Sequence, residues 1–204
     1  AREAFPSPVK QTLKSSTHLV AIGCSTGGPK ALAAILSRMP ADFPAPIVIV
    51  QHVDAQFAGG LAEWLRGQVS IPVVLAAGGA HPEPGTAYLA GTNDHLVIGR
   101  DRAFHYTPDP VDNPFRPSVD ALFASLEANW KQPGIAALLT GIGRDGARGL
   151  LGLRRAGWHT IAQDEASSVI YGMPKAAADL GAAVEIQPLD RIPNVIMARV
   201  GNMG

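Results

Sequence analysis

Three residues in this sequence have the types needed for nucleophilic hydrolysis: Ser25, His52 and Asp145. Ser25 stands in Gly23-Cys-Ser-Thr-Gly27, the G-x-S-x-G spacing that places a serine hydroxyl on a sharp strand-to-helix turn. His52 follows the apolar run Ile47-Val-Ile-Val50, and Asp145 lies in Thr140-Gly-Ile-Gly-Arg-Asp-Gly-Ala147, directly after Ile135-Ala-Ala-Leu-Leu139. A hydroxyl, an imidazole and a carboxylate together provide a nucleophile, a base and a group that orients the base. Each residue also has a plainer reading. A Gly/Ser/Thr turn before a helix serves as a phosphate cradle or a simple cap, a histidine at a strand end serves as a structural hydrogen-bonder, and an aspartate before a helix serves as its N-cap.

The elements around these residues place all three on one edge. Leu19-Val-Ala-Ile22 is a short apolar strand, and Leu32, Ile35, Leu36 and Met39 recur at helical spacing behind Pro29. Ile47–Val50 and Ile135–Leu139 are further buried strands. In an open α/β sheet ligands bind beyond the carboxyl ends of the strands, where Ser25, His52 and Asp145 would all emerge. The N-terminus of the helix after Ser25 offers unpaired N–H groups suited to an oxyanion. The order Ser, His, Asp differs from that of α/β-hydrolases, so the spacing need not imply that fold, and convergent assembly on another α/β sheet is allowed. Neither the dinucleotide spacing G-x-G-x-x-G nor the Gly-Lys-Ser/Thr ending of a P-loop occurs in the Ser25 turn, which lowers a nucleotide-binding reading without removing it.

The 204 residues suffice for one α/β domain with a large core, and 47% apolar residues is ordinary for a globular chain. Seventeen basic and seventeen acidic residues balance, so no general field draws the protein to nucleic acid or to an anionic membrane. The single cysteine, Cys24, excludes an internal disulfide and suits a reducing, cytoplasmic setting; its place in the turn favours a packed small hydrophobe over a reactive thiol. No apolar run reaches membrane-spanning length, so no membrane insertion is expected. Residues 1–16, with Pro6 and Pro8, read as a linker ahead of a domain over 17–204.

The remaining pattern predicts a doubly wound α/β fold with a mainly parallel sheet, helices on both faces and an antiparallel β insertion. The insertion is assigned to residues 80–106, through Thr86–Ala90, Asp94–Ile98 and Ala103–Tyr106. Gly60–Gly67 reads as a short helix with Leu61, Trp64 and Leu65 on its inner face. A proline-rich loop over 107–117 delivers Ser118 as the N-cap of a helix bearing Val119, Leu122, Phe123, Leu126 and Trp130. Arg116, just before that helix, is a candidate for contact with an anionic ligand. His81, His95, His105 and His159 lack metal-ligand spacing and are read as structural or surface hydrogen-bonders, so neither metal nor cofactor is expected.

Taken in order, Ala21-Ile-Gly-Cys-Ser-Thr-Gly-Gly-Pro29, Gln51-His52, Arg116-Pro-Ser-Val-Asp120, Leu139-Thr-Gly-Ile-Gly-Arg-Asp-Gly-Ala147, Gln163-Asp-Glu-Ala-Ser167 and Tyr171-Gly-Met-Pro174 resemble the catalytic domain of bacterial chemotaxis protein-glutamate methylesterases, the CheB type. The resemblance runs from His18 to the last helix. It implies that Ser25 is the nucleophile, His52 the base and Asp145 its partner, with Thr26 and Ile142 helping to form the oxyanion site. It further implies a γ-methyl glutamate ester on cytoplasmic chemoreceptor helices as substrate, with receptor glutamines as a second target to be tested. A receiver domain ahead of the linker is the expected regulatory partner. Cys24, Ile142 and Val53-Asp-Ala-Gln56 depart from the usual residues of that family. A non-catalytic domain of the same fold that docks on a receptor or signalling complex is the competing reading, and hydrolysis by the isolated protein separates the two.

Overall fold

A computed structural model describes residues 18–202, so the linker assigned to residues 1–16 lies outside the described residues. Seven strands form one parallel sheet in the order β3-β4-β2-β1-β7-β8-β9. They are β1 (Val20–Cys24), β2 (Ile47–Gln51), β3 (Val73–Leu75), β4 (Ala87–Leu89), β7 (Ile135–Leu138), β8 (His159–Gln163) and β9 (Glu185–Gln187). The helices are α1 (Gly28–Leu36), α2 (Ala55–Arg66), α3 (Val119–Asn129), α4 (Ala147–Arg155), α5 (Met173–Asp179) and α6 (Ile192–Asn202). A separate antiparallel pair joins β5 (His95–Ile98) to β6 (Phe104–Thr107).

Two cores lie on opposite faces of the sheet. Val20, Ile22 and Cys24 point into one, with residues of α1, α2 and α6; Leu19 and Ala21 point into the other, with α3, α4, α5 and the β5–β6 hairpin. This alternation along a fully buried strand explains why β1 reads as a continuous apolar run rather than an alternating one. From β1 the chain winds outward through β2 to β3 and β4, then returns to the other side of β1 with β7. The winding therefore reverses at β1, and the strands preceding Ser25, His52 and Asp145 are the neighbours β1, β2 and β7.

Two expectations change. Thr86–Ala90, assigned to the antiparallel insertion, instead contributes β4, a parallel strand between β2 and β3. Ala87, Tyr88 and Leu89 are all buried, as a strand with a neighbour on each side and core beneath requires, and the insertion reduces to β5 and β6. The helix expected at Gly60–Gly67 begins earlier, at Ala55, because the Asp54 carboxylate accepts the N–H of Gln56 at 3.0 Å as N-cap. Gly59 and Gly60, poor helix formers, obscured that start. The face α2 buries is Ala58, Ala62 and Leu65, while Trp64 is 44% exposed. No helix among the described residues is long and apolar enough to cross a membrane.

Candidate active site

Ser25 and His52 follow directly on a register pair. Cys24 of β1 lies opposite Gln51 of β2, and the His52 N–H donates to the Cys24 carbonyl at 3.0 Å. Ser25 and His52, the next residue after each strand, therefore leave the same sheet edge from neighbouring strands. Gln51 reinforces this. Its Nε2 donates to the carbonyls of both Ser25 and His52, each at 3.0 Å, while its Oε1 accepts from Cys24 Sγ at 3.2 Å. The turn after Ser25 closes with the Gly28 N–H on the Ser25 carbonyl at 2.8 Å and with Gly27 at φ 83°. A Cβ at Gly28 would stand 1.9 Å from Gln51 Oε1, so only glycine admits the carboxamide. Cys24 is fully buried, and burial pushes its thiol far above the ordinary range, as expected of a packed side chain rather than a nucleophile.

His52 and Asp145 meet directly, Nε2 to Oδ2 at 2.7 Å, with both side chains largely buried. An ionised carboxylate has no proton to donate, so Nε2 carries the hydrogen, which in the neutral imidazole leaves Nδ1 with its lone pair. That Nδ1 is buried and has no hydrogen-bond partner, the Ser25 hydroxyl included. The Phe115 ring stacks on the imidazole, with centroids 4.6 Å apart and planes inclined by 9°. Phe115 and Asp145 hold the histidine by face and by edge.

Asp145 does not cap the helix that follows it. The N-cap of α4 is Gly146, in a left-handed conformation and without a side-chain cap. The carboxylate reaches the start of α3 instead: Oδ1 accepts from Ser118 Oγ at 2.7 Å and from the Asp120 N–H at 3.1 Å, and Oδ2 accepts from the Val119 N–H at 2.6 Å. Burial opposes ionisation of Asp145, but the hydrogen bonds from His52, Ser118 and Val119 outweigh it and hold the carboxyl below the usual range. Ser118 is itself fixed by His95, whose buried Nδ1 accepts the Ser118 N–H at 3.1 Å. The β5–β6 hairpin thereby supports the site.

The loop after β7 presses against the Ser25 turn. The Ser25 N–H donates to the Thr140 carbonyl at 2.9 Å, and a Cβ on Gly141 would lie 2.7 Å from Ser25 Cβ. Among the described hydrogen bonds, the backbone N–H groups of Thr26 and Ile142 have no protein acceptor, and the Ile142 side chain is 59% exposed. Exposed Val169 and Ile170 add apolar surface beside the turn. Arg116 is engaged elsewhere: Nη2 pairs with Asp94 at 2.9 Å and Nε donates to the Asn93 carbonyl at 3.2 Å. A cleft of about 880 Å³ lies on the Asp145 flank, lined in part by Phe115, Arg144, Asp145 and Lys175, but Ser25 is not among its lining residues. Among the described residues no group of three His, Cys, Asp or Glu side chains could hold a metal ion.

Sequence reasoning singled out Ser25, His52, Asp145, Thr26 and Ile142 but assigned no site role to Gln51, Phe115, Ser118, His95 or Thr140. Gln51, Ser118 and Thr140 fell inside the motifs quoted for the resemblance, so a signal existed. Phe115 and His95 had none, because their contacts join segments distant in sequence.

The CheB methylesterase family model matches residues 20–196. A protein-glutamate methylesterase/protein-glutamine glutaminase of Burkholderia orbicola is 58% identical over 180 residues, covering 88% of this chain and 54% of the relative. One of Cupriavidus metallidurans is 53% identical over 199 residues, covering 96% and 59% respectively. The chain thus spans little more than half the length of these curated relatives. The crystal structure of the Thermotoga maritima CheB methylesterase catalytic domain superposes with a TM-score of 0.85 at 34% identity, covering 89% of this chain and 98% of that one. From a family match over most of its length, supported by these relatives and by a shared fold, the chain belongs to the CheB methylesterase family.

Proposed function

We propose that this domain hydrolyses γ-methyl glutamate esters on the cytoplasmic helices of chemoreceptors, with Ser25 as nucleophile, His52 as base and Asp145 as its orienting partner. The observation that carries the reading is the His52 Nε2–Asp145 pair at 2.7 Å, which leaves a bare, buried Nδ1 on the residue beside Ser25. In this mechanism Ser25 Oγ closes onto Nδ1 when substrate binds, since catalytic hydrogen bonds are often long before that point. As Oγ attacks the ester carbonyl, its proton passes to Nδ1, and Asp145 stabilises the imidazolium. The Thr26 and Ile142 N–H groups receive the oxyanion, each contributing on the order of 3 kcal/mol. The imidazolium returns the proton to departing methanol, and water, activated by the same nitrogen, releases the glutamate carboxylate.

The use of Nδ1 as base inverts the commoner arrangement, in which Nδ1 faces the carboxylate. Arg116, tied to Asp94 and Asn93, acts in this reading on the loop preceding α3, and any substrate contact would have to break those bonds. The relatives' names pair methylesterase with glutaminase, so receptor glutamines form a second proposed substrate, releasing ammonia by the same steps. In the full protein, an N-terminal receiver domain that limits access to Ser25 is proposed as the regulatory partner, and the cytoplasm as the location.

The test is methanol release from methylated receptor membranes incubated with this chain. Release by wild type and none by Ser25→Ala is expected. No release by wild type would favour a docking domain, and retained release by Ser25→Ala would remove Ser25 as nucleophile.

A further inference from the structure

We propose that Thr140 is the positioning residue of the oxyanion site, its buried hydroxyl setting the Thr26 N–H against the loop that carries Ile142. The inference rests on the esterase reading above, in which those two N–H groups receive the oxyanion.

Thr140 is 1% exposed, and its polar atoms are all used between separate segments. Its N–H donates to Gln163 Oε1 at 2.9 Å, at the end of β8. Its carbonyl accepts the Ser25 N–H at 2.9 Å. Its hydroxyl lies 2.9 Å from the Thr26 carbonyl and 3.3 Å from that of Ile170, and accepts the Ile170 N–H at 3.0 Å. A hydroxyl has one proton to give, and the shorter contact makes Thr26 its main acceptor.

Thr140 therefore grips the nucleophile turn twice, at the Ser25 N–H and at the Thr26 carbonyl. The peptide unit that presents the Thr26 N–H lies between these two anchors, and the second donor, Ile142, follows two residues after Thr140 in the same loop. One side chain thus couples the placement of both donors. The approach is too close for any side chain at Gly141, where a Cβ would meet Met173 Sδ at 2.3 Å and Ser25 Cβ at 2.7 Å. Without the hydroxyl, the Ile170 N–H and the Thr26 carbonyl lose the part-buried group that ties them together, and the turn is no longer held to the Ile170 segment. Displacement of a catalytic group by about 1 Å is enough to cost roughly 100-fold in rate.

Thr140→Val keeps the shape and removes the hydroxyl; Thr140→Ser keeps the hydroxyl. Rates on a methyl glutamate ester peptide are expressed per Ser25 labelled at completion by a phosphonate ester, so unfolded molecules do not count. Ser25→Ala, which takes no label, is run alongside at equal protein concentration. Thr140→Val should lower kcat about 30- to 100-fold with KM within about 3-fold, and weaken binding of a boronic acid in proportion to kcat/KM. Affinity for the unesterified glutamate peptide should not change, and Thr140→Ser should stay within about 5-fold of wild type. A Thr140→Val rate within about 3-fold of wild type, or a Thr140→Ser loss equal to that of Thr140→Val, overturns the proposal. If Thr140→Val yields no labelled protein, Thr140→Cys, a weaker donor, must fall between serine and wild type on one side and zero on the other, and a wild-type rate there overturns it. Failure of wild type to hydrolyse the ester would instead sink the esterase reading, and activity in Ser25→Ala would remove Ser25 as its nucleophile.

Discussion

Val119 and His52 share one oxygen of Asp145: the Val119 N–H reaches Oδ2 at 2.6 Å and His52 Nε2 reaches it at 2.7 Å. The carboxylate that orients the histidine is thus anchored on the first turn of α3, where unpaired N–H groups and the helix dipole favour a negative charge.

Asp145→Asn follows from that geometry. Donors approach both oxygens, so an asparagine must turn its NH₂ toward at least one of them in either orientation. Turnover should fall by about 10²- to 10⁴-fold through loss of His52 orientation, less than for Ser25→Ala, and stability by about 2 kcal/mol. Because Asp145 is held below its ordinary range, its stabilisation is complete above the unfolded carboxyl pKa of about 3.9 and is lost as pH falls through the lower folded value. Urea unfolding of both proteins should therefore differ at pH 7 and converge in strong acid; a constant difference would contradict the assignment.

Ser118→Ala removes both the hydroxyl donated to Asp145 at 2.7 Å and the cap that accepts the Ala121 N–H at 3.3 Å. The cost should be about 1 kcal/mol in thermal unfolding. Turnover should drop by less than in Asp145→Asn, because the Val119 and Asp120 N–H groups still hold the carboxylate. A loss larger than that of Asp145→Asn would assign Ser118 a role beyond anchoring.

Gln51→Leu takes two donors from the facing carbonyls of Ser25 and His52. A stability loss of about 1–3 kcal/mol is expected, with kcat reduced about 10-fold and KM little changed. Gln51→Glu should be worse in both respects, since a carboxylate there would face two carbonyl oxygens. Steady-state kinetics and thermal melts on the pair of variants decide this, and wild-type kcat in both would show that Gln51 does not position the site.

Cys24→Ala should keep kcat within about 2-fold of wild type, because a thiol whose pKa is raised by burial supplies no thiolate. A thiol reagent should react with the native protein only as fast as it unfolds. Activity lost in Cys24→Ala and kept in Ser25→Ala would make this a thiol enzyme.

The local pattern of the chain determines its class of fold and the edge on which chemistry sits. Apolar runs at Leu19–Ile22, Ile47–Val50 and Ile135–Leu139, each ending in a polar or glycine-rich turn, carry that information in consecutive residues, because a buried parallel strand and the helix after it are short-range features. Thr86–Ala90 shows where such reasoning stops. The run is a strand in either setting, and only its neighbours β2 and β3 decide that it lies parallel in the main sheet. The same holds within the site. That Ser25 and His52 follow paired residues depends on the β1–β2 register, and that Asp145 anchors on α3 rather than capping α4 depends on a contact spanning 26 residues. The His95–Ser118 contact spans 23 residues, the Phe115 stack on His52 joins separate loops, and the Thr140 hydroxyl reaches back 114 residues to Thr26. None has a periodicity to read, because hydrogen bonds and ring stacking depend on proximity and direction in space, and these exist only once the sheet has brought the three loops together.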